Sequence, residues 1–144
     1  WIVPSGDRLL MKELDADAED EISVGDVVIR SVPAVHTYPS LSYRLDHGGK
    51  RVTISGDTDV SNNLVKLAQD TDLFICECSL PGRLKTTGHL TPAEAGAMAQ
   101  KARVKRLILT HFYPPCDEVD IVQEAGAAYG GEIVKACDHL VVHV

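Results

Sequence analysis

Apolar residues fall in short runs separated by glycine, proline and charged turns. Residues 26–35 (DVVIRSVPAV) read as a strand, and 41–46 and 50–55 flank His-Gly-Gly, a hairpin turn. Ser61 reads as the cap of a short helix whose apolar face is Leu64, Val65, Leu67 and Ala68. Residues 72–76 (DLFIC) read as a short buried strand. Thr91-Pro-Ala-Glu94 is a helix start: Thr91 caps, Pro92 suits the first helical position, and Glu94 closes a capping box. Ala95, Met98, Ala99 and Ala102 then share one face. Residues 106–110 (RLILT) form the next strand. Asp117 reads as the cap of a helix running to Tyr129 and stopped by Gly130-Gly131. Residues 133–136 and 140–144 read as a closing pair of strands. Strands alternating with helices after Asp57 predict a layered α/β fold with a substantial sheet, more antiparallel in its first third.

Composition narrows the class. The 144 residues suit one domain, and 44% hydrophobic with 24% charged residues is the balance of an ordinary soluble globule. No apolar run reaches the roughly 18 residues of a membrane span, so no membrane partner is expected. A net charge of −7 argues against a broad nucleic-acid surface. It leaves room for an anionic substrate, because bound divalent cations reverse the local field. Cys76 and Cys78 share one face of a strand, and with Cys116 and Cys137 they lack the paired spacing of a thiolate zinc site. Reduced, mostly buried cysteines in a cytoplasmic protein are expected. The first residue is Trp1, and WIVPSGDRLLMKELD reads like a strand and turn from the interior of a protein, so the natural N-terminus is expected to be missing.

The run Arg51-Val-Thr-Ile-Ser-Gly-Asp-Thr58 places a carboxylate at a strand tip, where it needs backbone donors, a cation or a metal. His36 and His111 follow strands in the same manner. Active sites of layered α/β proteins gather at the carboxyl ends of strands, and imidazole and carboxylate are good ligands for zinc and related ions. Spacing alone leaves metal binding and separate structural roles equally open. From the residues alone, Glu77 reads as a salt-bridge partner for Arg83 or Lys85, and His89 as an exposed loop residue. Thr58 is expected to stabilise the turn through its hydroxyl, His47 to be a solvated turn residue, and Cys116 to pack.

The fragments VHTYPSLSYRL, ISGDT, ECS, GHLTPAEAG and RLILTHFYP occur in the order seen in the metallo-β-lactamase superfamily. They most resemble its ribonuclease Z and phosphodiesterase branch, over roughly Val27 to Val144. The resemblance implies the C-terminal half of an αββα sandwich: a mixed sheet with helices on one face, one domain over 1–144 lacking its N-terminal half. It implies metal ligands at His36, Asp57 and His111, with Asp57 bridging two divalent ions, zinc as the expected metal and manganese as the alternative. It places Glu77 behind His89, and His89 against the scissile phosphate or leaving group. The implied activity is phosphodiester hydrolysis by a hydroxide held on the two metals, with Asp57, His89 and Glu77 as the catalytic set. The rivals are hydrolysis of a lactone or thioester, a di-iron redox protein of the same fold, and a non-catalytic half-domain needing a partner.

The departures matter. The HxHxDH signature that supplies the remaining ligands is absent, so a missing N-terminal half, a second chain or a homo-oligomer is expected to carry it. Cys76-Glu-Cys-Ser79 replaces the usual His-Glu-Ala-Thr. Only twenty residues separate His36 from Asp57, which leaves no space for the long arm by which ribonuclease Z holds transfer RNA. That favours a small phosphodiester or nucleotide substrate, as in the compact phosphodiesterases of the superfamily, including those acting on cyclic nucleotides.

Overall fold

The computed structural model describes residues 12–144; most of the strand and turn expected from Trp1 onward lies outside them. Among the described residues seven strands form one sheet in the order of the sequence. They are β1 (Asp20–Val24), β2 (Val27–Pro33), β3 (Leu41–His47), β4 (Lys50–Ile54), β5 (Leu73–Glu77), β6 (Arg106–Thr110) and β7 (Glu132–Lys135). The β1–β4 pairings are antiparallel, and β4 through β7 run parallel. Two reversals separate β2 from β4, so the carboxyl ends of β2, β4, β5 and β6 all reach the same edge of the sheet.

Three helices pack on one face: α1 (Asn62–Leu67), α2 (Pro92–Ala102) and α3 (Ile121–Gly126). Val32, Phe74, Cys76, Leu107 and Leu109 of the sheet meet Leu64, Met98, Ala99 and Ile121 in a single core. At Gly96 of α2 an added Cβ would lie 2.3 Å from the Ala125 carbonyl oxygen of α3, so only glycine permits this approach. The opposite face carries two apolar rows in register: Ile22, Ile29, Leu45, Val52 and Leu73, then Tyr43, Ile54, Ile75, Ile108 and Val134. The expected mixed sheet with helices on one face is therefore present. Among the described residues no helix is long and apolar enough to cross a membrane.

The caps at Ser61 and Thr91 form as expected; the Thr91 side chain accepts from the Glu94 N–H and the Glu94 carboxylate accepts from the Thr91 N–H. The helix expected from Asp117 to Tyr129 is broken instead. Pro114–Glu118 is a 3-10 turn, Val119 is extended, and Asp120 caps α3 by accepting from the Gln123 N–H. Tyr129 lies beyond the helix and donates its hydroxyl to the Val104 carbonyl. Residues 140–144 are not a strand. His139 turns with φ 63°, Arg106 holds the His143 carbonyl, and Val144 lines a concavity with Val27, Leu45 and Val52 on the helix-free sheet face. Strand β1 was not expected, because its acidic DEISV run lacks the apolar alternation of a half-buried strand.

Asp72, just before β5, accepts from the Arg51 N–H at 2.9 Å and from Lys105 Nζ at 2.7 Å. The Lys105 hydrogen bond, opposed by burial and aided by the Arg51 amide, holds its carboxyl below the usual value. A carboxyl so lowered stabilises the fold above the unfolded value of about 3.9 and loses that contribution as pH falls through the folded value. Asp72→Asn is thus expected to be less stable than wild type near pH 6, with the gap closing by about pH 2. Urea midpoints at both pH values measure it; a pH-independent gap would contradict the account.

Candidate metal centre

Four strand ends deliver the site. Beyond β4, Gly56 turns with φ 58°, and a Cβ there would sit 2.8 Å from the Leu41 carbonyl oxygen. Only glycine passes this point without strain, and the turn projects Asp57 outward. Thr58 locks the turn as expected: its hydroxyl donates to the Asp59 carbonyl and accepts from the Val35 N–H. His36 follows Val35 directly. His111 follows β6 with φ 61°, a left-handed conformation that costs a side-chain-bearing residue energy and is retained where the surrounding structure imposes it.

His36, Asp57 and His89 each offer a ligand atom, and these atoms lie within 4.8 Å of one another. His111 Nε2 is 3.5 Å from Asp57 Oδ1 and is a buried nitrogen with no hydrogen-bond partner. The His89 ring sits between those of His36 (4.9 Å) and His111 (5.6 Å). Of the sequence-predicted ligands, His36 and Asp57 share the compact group with His89, while His111 lies outside it and approaches it through Asp57; His89 stands closer than its position in a loop suggested.

These residues fit a divalent cation. An unpartnered buried imidazole nitrogen is costly unless something accepts its lone pair. Two tetrahedral ligands on one zinc at about 2.1 Å lie about 3.4 Å apart, which is the His111–Asp57 separation. Neutral imidazole and carboxylate form a donor set suited to zinc or manganese.

Glu77 lies beneath the cluster, 1% exposed, and every oxygen contact is used. Oε1 accepts from the Thr58 N–H at 2.8 Å and faces His89 Nδ1 at 3.0 Å. Oε2 accepts from the Ser79 hydroxyl at 2.7 Å and the Leu90 N–H at 3.1 Å. Its partners are therefore not Arg83, which pairs with Glu118, nor Lys85, which pairs with Asp59 and Glu94. Ser79 also stands 3.1 Å from His89 Nδ1. A proton on Nδ1 directed at Glu77 leaves Nε2 bare and facing the cluster. Gly88, with φ 89°, brings its backbone against His36, whose Cδ2 would be 3.2 Å from an added Cβ. Gly88→Ala is expected to displace that ring and cost about 1–2 kcal/mol; a urea midpoint with the His36 ring signals checks both.

The four cysteines are not paired with one another. Cys76, Cys78 and Cys116 are buried and Cys137 is exposed, and burial pushes the Cys76 and Cys78 thiols well up. Cys116 packs, as expected, its thiol against the carbonyls of Cys78 and Ser79. His47, at a turn, is exposed and pairs with Asp26.

The family described as "Beta-lactamase superfamily domain" matches residues 5–112. The chain belongs to that superfamily. Ribonuclease Z of Thermobifida fusca is 33% identical, covering 78% of this chain and 42% of that protein. Among solved structures, human tRNase Z, short form, superposes with a TM-score of 0.66 at 28% identity, over 85% of this chain and 45% of that one. The metallo-β-lactamase fold protein YhfI of Bacillus subtilis gives 0.74 at 24%, over 81% and 49%, a likeness of fold. The chain spans less than half the length of the curated relatives it matches. Sequence reasoning gave Lys85 the wrong partner and did not single out Asp59 or Ser79; the Thr91–Glu94 capping box beside His89 was the available signal.

Proposed function

We propose that the chain is the C-terminal half of a metal-dependent phosphodiesterase, the remaining cation ligands coming from a segment or partner that supplies HxHxDH. The convergence of His36, Asp57, His89 and His111 on one sheet edge, over a buried carboxylate, carries this reading. The ribonuclease Z and tRNase Z relatives supply the phosphodiester bond class. His36, Asp57 and His111 would hold two divalent ions, zinc or manganese, which supply charge for the phosphoryl oxygens and bring the pKa of water towards about 7. Asp57 is the residue common to the His36 and His111 contacts, so its carboxylate could serve both cations.

His89 works from the other flank. Its Nδ1 is held by Glu77 and Ser79, so Nε2 is the atom presented to the substrate. When the ring carries a second proton on Nε2, its delivery to the departing oxygen would avoid release of an alkoxide. Glu77 keeps the ring from rotating. The apolar sheet face, which carries no helix among the described residues, is where the other half of the sandwich would dock.

The test is a substrate panel on the complete protein with zinc or manganese: cyclic nucleotides and bis-p-nitrophenyl phosphate, against a lactone and a thioester. Phosphodiester turnover is expected; lactone or thioester turnover alone, or an oxygen-dependent reaction requiring iron, would overturn the reading.

A further inference from the structure

We infer that Lys85 is a positioning residue for this site: through Asp59 and Glu94, its ammonium fixes the loop that holds His89 against His36 and Asp57. The inference rests on the reading of that cluster as the working centre. Lysine has three N–H donors and no acceptor. All three are matched, by Asp59 Oδ1 at 2.6 Å, the His89 carbonyl at 2.5 Å and Glu94 Oε2 at 2.8 Å. The three acceptors lie on three different walls of the site.

Each acceptor is itself anchored. Asp59 sits two residues beyond Asp57; its N–H donates to the carbonyl of Val35, the residue before His36. Its Oδ2 accepts from the Gly88 N–H at 2.9 Å. Glu94 Oε2 also receives the Thr91 N–H and hydroxyl at the start of α2. One ammonium therefore ties the His36 strand end, the Asp57 turn, the His89 loop and helix α2 together. A lone surface pair contributes little, but here one side chain orders four segments at once.

The loop needs such a tie. Between Ser79 and Thr91 the only regular structure is the single turn Gly82–Leu84. His89 is held at its ring by Glu77 and at its carbonyl by Lys85, while Asp59 holds the neighbouring Gly88 N–H. Arginine does not replace this arrangement, because its planar fork cannot meet three acceptors around one point. Lys85 touches neither Asp57 nor the reacting region, so it acts through its neighbours.

The experiment uses the complete protein, zinc as the probe, amide exchange at Gly88 and imidazole nitrogen signals of His89. Lys85→Met is expected to speed Gly88 exchange at least tenfold, shift the His89 signals and weaken zinc binding about tenfold. Lys101→Met, which removes an exposed lysine from Asn62, is expected to change none of these. Lys85→Cys in a Cys137→Ser background, alkylated with 2-bromoethylamine, rebuilds an ammonium of similar reach and should restore all three. Wild-type Gly88 exchange and His89 signals in Lys85→Met, the same change in Lys101→Met, or no recovery on alkylation would each overturn the inference. If the complete wild-type protein binds no zinc, the reading of the centre loses support, while Gly88 exchange and the His89 signals still decide the role of Lys85.

Discussion

Asp57→Ala is expected to lose zinc binding by more than about 100-fold, beyond what is typical for losing an outer partner of a metal ligand. Turnover by the complete protein should fall with it. The reasoning is geometric. Asp57 Oδ1 faces His111 at 3.5 Å, and the same side chain belongs to the cluster with His36 and His89. Its removal takes the shared member from both groups at once. The fold should hardly notice, because the side chain is 44% exposed; a stability change within about 0.5 kcal/mol is expected. Competition against a chromophoric chelator measures the affinity, and a urea titration the stability. Wild-type zinc affinity in the variant would remove the basis of the proposed function.

Glu77→Gln is expected to behave in the opposite way, costing about 3 kcal/mol of stability as well as function. The carboxylate accepts from two backbone N–H groups and a hydroxyl while facing His89 Nδ1, and it is 1% exposed. An amide can accept at one position only. Its NH2 would then oppose either the Thr58 or the Leu90 N–H, leaving buried donors facing each other. His89 would lose the acceptor that sets its tautomer, and the ring signals should change with the urea midpoint. A variant as stable as wild type would contradict the account of a fully engaged buried carboxylate.

Much of the frame was legible because it is local. The Thr91-Pro-Ala-Glu94 box, the Ser61 cap and the Gly48-Gly49 hairpin each depend on a few adjacent residues, and each forms where expected. Residues 140–144 misled because an apolar run predicts burial without naming its partner; here Val144 turns under the sheet beside Val52 instead of pairing with β7. The helix to Tyr129 was overextended because Val119 breaks it and Asp120, not Asp117, caps α3. In the site, His36, Asp57 and His111 were readable because ligand types at strand ends share an edge once the strands run in one direction. The partners of Glu77 were not readable: the Thr58 and Leu90 N–H groups are generic backbone, and only the close approach of three loops makes them donors to one carboxylate. Lys85 was hidden for the same reason, since its three acceptors are spread from Asp59 to Glu94.

The strand order has a consequence for synthesis. Every strand pairs with the one made just before it, so each arriving segment meets an edge that already exists. Assembly can keep pace with the ribosome, laying the sheet down one ribbon at a time without waiting for a distant stretch of polypeptide. The histidine after β6 is the last of the cluster to emerge, and the centre is assembled only when six ribbons are in place.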